Sequence, residues 1–467
     1  MELSPHHEPT ELPKLRSGLS DVMHVDGHGV IPTLTSTSRF SGMGLDMIGP
    51  QRSASLLAAG HGARQSTWQQ TAALVIADIV GTGVLSLSGN FAKLGVWSGI
   101  SALVICYPLN FFTGILLNRL HLAFPLSVTY GDVGFKLVGK WGQQLGFASL
   151  YVYMFFLLGS YYIVIRKTIQ EILIEAQLCA VHACFIGFLL LLPSNQLRTL
   201  HHLSKLSIVS FATIVVVLVM CIGVLLFDSH PSCGTQLPSL DVMGVFNALS
   251  GFVFAFSGQK IFLEMQAEMT EPTEFPKALH AAFPVLFLSY LLVSLAAYGR
   301  CGDRTPTYLL DVLPSGPLAR CASVFMLVHM MVSYTIANQV LARAMLLLSG
   351  CTTGLEPGLT GRLIWFTQTS AQALFAIVLS NAIPLFDDFV SVIGGLLSTQ
   401  FSFVFPAGLF LLFAQTGRGV GKVMIIACAF VIVVGVVFTV VGTVSNIRRI
   451  ADDAKTGGAP FACNLAS

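Results

Sequence analysis

Of 467 residues, 54% are hydrophobic and only 10% are charged, whereas a soluble domain carries roughly a quarter charged residues, so water is not the main solvent of this chain. The 25 basic and 23 acidic residues leave a net charge of +2, too small and too dispersed for the continuous positive surface that a phosphate backbone requires. Nucleic-acid binding is therefore not expected, and the lack of a glycine-rich Walker-type phosphate loop argues against a nucleotide-driven machine.

Residues 1–68 are rich in Ser, Gly, His, Thr and Pro and lack the short apolar core of a secretory signal, which predicts a disordered cytosolic tail. Beyond them, stretches of the ~20 apolar residues that a hydrocarbon core about 30 Å thick demands recur almost without pause. They lie near 71–90, 96–118, 144–165, 179–193, 205–227, 243–268, 279–299, 318–348, 361–380, 388–413 and 421–444. The expectation is an all-α membrane protein with one transmembrane domain over 69–446, eleven helices, and a short C-terminal tail over 447–467. Alternation from a cytosolic N-terminus puts the C-terminus outside. Arg119, Lys136, Lys140, Arg198, Lys205 and Lys277 then fall on inner connections, although Arg300, Arg304, Arg448 and Arg449 fall outside.

The first span reads TAALVIADIVGTGVLSLSGNFAKLG, and Gly81, Thr82 and Gly83 interrupt it where glycine is least favourable for a helix. Local unwinding there would free backbone donors that attract a substrate carboxylate; the alternative is that the glycines only let two helices pack closely. Asp78 lies about one turn earlier. An intramembrane carboxylate is costly enough to suggest proton coupling, the alternative being a structural pair with a hydroxyl or with Lys260. The sixth span shows a second break at Ser257, Gly258 and Gln259, followed by Lys260 and Glu264. Two discontinuous helices five spans apart point to a carrier site between inverted repeats. Glu264 is the deepest of the acidic residues ending that span and the candidate for a gating ion pair. In the eighth span, His329 and Ser333 share one helical face and are candidates for ion coupling, with ordinary interhelical hydrogen bonding as the alternative.

Cys233 and Cys301 fall in the two outer loops 228–242 and 300–317, where an oxidising compartment permits a disulfide, with Cys321 as the competing partner. No Cys/His pattern has metal-ligand spacing, and no cofactor or metal is expected. Scattered intramembrane acids do not converge as a membrane-embedded enzyme would need.

The segment IVGTGVLSL followed by AKLG resembles the first helix of the amino acid/auxin permease family, within the amino acid-polyamine-organocation superfamily. FAFSGQKIFLEMQAEMTEPTEFPKAL resembles that family's sixth helix and the loop after it, VHMMVSY its eighth helix, FVSVIGGLLSTQFSFVFPAGLF its tenth, and LLLLPSNQLRTL the end of its fourth. The resemblance covers about residues 70–444 and implies a leucine-transporter-type fold of inverted five-helix repeats with helices 1 and 6 broken. It implies an amino acid substrate held by main-chain groups of Val80, Gly81, Thr82 and Gly83 together with Ser257, Gly258 and Gln259, with Phe256 covering it. Two positions depart from the family pattern: Ser88 stands where proline is usual, and Asp78 where a small neutral residue is usual. The functional expectation is amino acid transport coupled to a proton or sodium gradient in a plasma or vacuole-like membrane, among membrane lipids. The alternative is an amino acid sensor that keeps the transporter fold and moves little substrate.

Overall fold

The computed structural model describes residues 66–198, 200–228, 231–234, 241–383, 386–416, 420–456 and 461. The expected tail over 1–68 lies almost wholly outside them, as do 457–460 and 462–467 of the expected C-terminal tail. Among the described residues nine helices are long and apolar enough to cross a membrane, and a bent pair supplies a further span. That pair is α1 (Trp68–Ile79) and α2 (Gly81–Leu94), which meet at 52°. The 15-residue apolar helix Ala180–Ser194 completes the eleven spans.

In chain order the remaining helices are α3 (Val96–Ala123), the short α4 (Tyr130–Val138), α5 (Lys140–Ile172), α6 (Ala180–Ser194), α7 (Leu200–Phe227), and the two halves of the sixth span, α8 (Val242–Ala255) and α9 (Phe262–Glu268). Then come α10 (Phe275–Cys301), α11 (Pro317–Leu348), α12 (Leu359–Ala382), α13 (Phe386–Val392), α14 (Phe405–Ala414), α15 (Lys422–Val437) and α16 (Thr443–Thr456). The last span thus continues as helix past its expected end near 444. Between α13 and α14 the helix widens into π turns over Ile393–Ser398 and Gln400–Val404. Among the described residues the only strand-like pairing is an isolated bridge, Ser66 with Met269.

Sequence chemistry explains where the elements start. Thr67 and Gln70 form a reciprocal capping box at α1, as Thr129 and Asp132 do at α4, and the Asp241 carboxylate accepts from the Gly244 N–H at α8 (2.7 Å). The two breaks are placed by packing. A Cβ on Gly83 would lie 2.8 Å from the Cα of Ala255, and one on Gly258 2.5 Å from Cδ1 of Ile79, so these glycines let the two broken helices touch backbone to side chain. The close-packing role weighed for the first-span glycines is met at Gly83.

A helix that stops inside a bilayer leaves carbonyls that water cannot reach. The Tyr290 hydroxyl of α10 lies 2.6 Å from the carbonyl oxygen of Ala255 and 3.2 Å from that of Ile79, so one phenol serves the C-terminal ends of both α1 and α8. Phe256 packs edge-on against the same ring, with centroids 5.1 Å apart. The Tyr130 hydroxyl donates to the Gln259 carbonyl (2.9 Å). At the far end, Cys233 and Cys301 are bonded to each other, with Cα atoms 5.5 Å apart across 68 residues of sequence, while Cys321 is free and exposed.

Tyr290→Phe leaves two buried carbonyls without their donor and should lower stability by about 1–3 kcal/mol, read as a drop in thermal midpoint in detergent; an unchanged midpoint would mean that the phenol is not what satisfies them. Reduction, or Cys233→Ser, should cost about 2–4 kcal/mol for a loop of this length. Equal midpoints with and without reductant would show the bridge to be energetically idle.

Candidate functional site

The first break falls at Val80, one residue before the position read from the sequence, so Gly81, Thr82 and Gly83 are not unwound; they form the first turn of α2. The physical reason is that Val80 keeps an ordinary right-handed backbone, and the 52° bend alone separates the two halves. The first N–H groups of a helix lack intrahelical acceptors, so the donors expected at this point remain on these residues. The second break lies where expected, with Phe256, Ser257 and Gly258 between α8 and a short 3-10 turn over Gln259–Ile261.

Asp78 and Lys260 join the two broken spans. The Lys260 ammonium lies 2.6 Å from Asp78 Oδ2 and 2.9 Å from the Ser257 carbonyl oxygen, and the two side chains are 4% and 15% exposed. Asp78 thus has the Lys260 partner weighed from the sequence. The same ammonium lies 5.8 Å from the centroid of Tyr153, whose hydroxyl is 3.3 Å from Ser257 Oγ and 3.4 Å from Ser398 Oγ.

A partly open cavity of about 90 Å³ of water-accessible space adjoins this pair; a water needs roughly 10–15 Å³ on that measure, so it holds several waters or a small polar group. Asp78, Lys260, Glu264 and Ser333 line it, with Ser210 and an apolar wall that includes Met154 and Leu157. Glu264 also lines a second cavity beside Thr129, Tyr151 and Arg343. Its Oε2 is buried without a hydrogen-bond partner. Lys260 pairs with Asp78 and not with Glu264, because its ammonium is turned toward the break and the Ser257 carbonyl.

His329 stands beside the first break. Its Nδ1 is 2.8 Å from Ser210 Oγ and 3.0 Å from the Ser210 carbonyl oxygen. A carbonyl only accepts, so Nδ1 carries the proton, and Nε2 is left as a bare lone pair, buried and unpartnered, 3.7 Å from where a Cβ on Gly81 would sit.

Two expected substrate residues are turned to other work. The Gln259 amide nitrogen donates to Asn110 Oδ1 (2.9 Å) and the Asn110 carbonyl (3.1 Å), and its oxygen accepts from Ser402 (3.2 Å), so this fully buried side chain ties α3 to the widened tenth span. Phe256 is likewise fully buried against Tyr290, and Val80, Gly81, Thr82, Gly83, Ser257 and Gly258, which flank the breaks, are not among the residues that line the cavity either. Sequence reasoning missed Tyr290 and Ser210, which sit in apolar runs with no distinguishing signal, and Tyr130, which sits in a connection outside the expected spans. Lys260 was signalled, since a lysine directly after a broken span is costly unless paired.

Residues 64–447 match the family described as "Transmembrane amino acid transporter protein". Among relatives, the chain is 27% identical over 404 residues to the Amino acid transporter AVT1C of Arabidopsis thaliana, covering 83% of this chain and 71% of that one. It is 24% identical over 419 residues to the N amino acid transport system protein of Neurospora crassa, covering 85% and 88%. In solved structures it is similar to a Na+-coupled sialic acid symporter in a substrate-bound outward-open state, with a TM-score of 0.52 at 13% identity, covering 90% of this chain and 98% of that one. That likeness bears on fold alone, and it fits the leucine-transporter-type arrangement with broken first and sixth helices. The family match, spread over nearly the whole membrane domain, establishes that this multi-pass membrane chain belongs to the transmembrane amino acid transporter family, the amino acid/auxin permeases, and is a transporter and not an enzyme.

Proposed function

We propose that this chain is a secondary carrier that moves an amino acid across its membrane, with protons as the coupling ion. The observation that carries the reading is the Asp78–Lys260 pair, which bridges both helix breaks at the wall of a cavity. The substrate carboxylate lies at the first turn of α2, against the N–H groups of Gly81, Thr82 and Gly83, where the helix dipole favours negative charge. Ser257 and Gly258 line the opposite break.

The preference for protons over sodium rests on how the oxygens near the breaks are used. A sodium ion in a carrier of this architecture draws on carbonyls freed by unwound backbone and half-helix C-termini. Here Tyr290 takes those of Ile79 and Ala255, Lys260 takes that of Ser257, and Tyr130 takes that of Gln259. What stands beside the site is a set of groups able to accept a proton: His329 Nε2 and Glu264 Oε2, both buried without a partner, and Asp78, paired with Lys260. Protonating Asp78 would cancel its hold on Lys260 and loosen the tie between the spans, which couples proton arrival to movement of one half-helix against the other. Glu264, between the two cavities, gives the proton a way out of the site.

In liposomes containing the purified protein, labelled amino acids should accumulate under a pH gradient and not under a sodium gradient. Accumulation with sodium alone would overturn the proton assignment, and binding without accumulation under either gradient would turn the reading to the sensor. Asp78→Asn should keep substrate binding but lose gradient-driven accumulation; unchanged coupled uptake in this variant would remove Asp78 from the mechanism. Lys260→Met should cost about 3–5 kcal/mol by leaving a buried carboxylate unpaired, and adding Asp78→Asn should restore much of it. A double variant no more stable than the single would mean that the pair does not form.

A further inference from the structure

A groove unconnected with the transport site runs along the membrane-facing side between α3 and α15. Phe112 and Arg119 of α3 face Val420, Val423, Met424 and Ala427 across about 450 Å³. The α15 wall belongs to a span of which only 17% of the apolar window is buried, and Val423 is 82% exposed. Nearly every group here is hydrocarbon. The exceptions are Arg119, which lines the groove, and Lys422, which stands between the lining residues Gly421 and Val423. Both are exposed, and neither has an ion pair or side-chain hydrogen bond among the described residues. They mark one end of the bundle, because the neighbouring Asn118 side chain donates to the Pro272 carbonyl in the connection that follows α9 (2.9 Å).

Apolar walls along the helices with two unpaired cations where the helices leave the bilayer match an acyl chain carrying a negative headgroup. We propose that this groove binds an anionic phospholipid, its tail against Phe112, Val423, Met424 and Ala427 and its phosphate between Arg119 and Lys422. Charge complementarity selects this occupant. A second copy of the chain or an apolar helix would cover the walls but leave both cations facing hydrocarbon, and a zwitterionic lipid brings its own cation to the same place. Each cation near an anionic headgroup is worth roughly a fivefold preference.

The test uses the full chain in nanodiscs of phosphatidylcholine doped with phosphatidylglycerol of matched acyl chains, with retained lipid read by native mass spectrometry after gentle extraction. Wild-type protein should retain phosphatidylglycerol in excess over its share of the bilayer by about tenfold or more. Arg119→Gln with Lys422→Gln should abolish the excess, while Arg119→Lys, which preserves the charge, should keep most of it. The thermal midpoint in pure phosphatidylcholine checks that the neutral variants are folded; should the double variant fail there, each single Gln variant should show a several-fold smaller excess. Retention of the two lipids in proportion to their shares of the bilayer by the wild type overturns the proposal. So does an undiminished excess in folded Gln variants, or dimers whose interface cross-links through residues of this groove.

Discussion

Two spans of this protein stop and restart within the thickness of the membrane, and the backbone exposed at each stop has no water to turn to. That requirement organises the centre of the molecule. Tyr290 covers the carbonyls that end α1 and α8, Tyr130 covers that of Gln259, and Lys260 covers that of Ser257. Once a lysine is used in this way its charge needs a counter-charge, and Asp78 supplies it from the other broken span. The ion pair is thus a consequence of the breaks as well as a link between them.

The pair is a suitable place for control because its energetics are asymmetric. Intact, two buried charges offset each other; with one neutralised, the other is left in a medium that penalises it by several kcal/mol. The cost of separating the pair is therefore comparable to the few kcal/mol that separate conformational states. Around this pair the scaffold is held by neutral ties. Gln259 binds Asn110 and Ser402, Asn118 binds Gln266 (2.8 Å), and Asn247 binds Asn446 (3.0 Å). The widened turns of the tenth span contribute here, since they carry both Ser398, which reaches Tyr153, and Ser402, which reaches Gln259.

The periphery follows a different rule. Where the helices face lipid, exposed valine, isoleucine and leucine need no partner, so an unpaired cation at a helix end is the feature that carries information. At the opposite end the Cys233–Cys301 bond ties the loop after α7 to the end of α10, restraining segments that flank the two halves of the carrier.

Much of this was legible in the sequence because the bilayer imposes a simple code. Apolar runs of fixed length indicated the spans, small and polar residues within them placed the first break to within a residue and the second where it lies, the two outer loops offered Cys301 or Cys321 as partners for Cys233, and Asp78 within hydrocarbon suggested proton coupling or a structural pair. The resemblance in the first, sixth, eighth and tenth helices gave the family. What the sequence could not supply was which of several polar groups meet across helices far apart in the chain. Asp78 finds Lys260 and not a hydroxyl, because the 52° bend and the break after α8 bring residues 182 apart in sequence to 2.6 Å. Gln259 and Phe256, next to the break and so expected at the substrate, are turned into the packing by Asn110 and Tyr290. The first break lies at Val80, and Gly83 in the helix after it packs against the Ala255 backbone. Composition and periodicity fix which segments lie in the membrane; only the packing of one helix on another decides which buried polar atom is satisfied and which, like His329 Nε2, is left open.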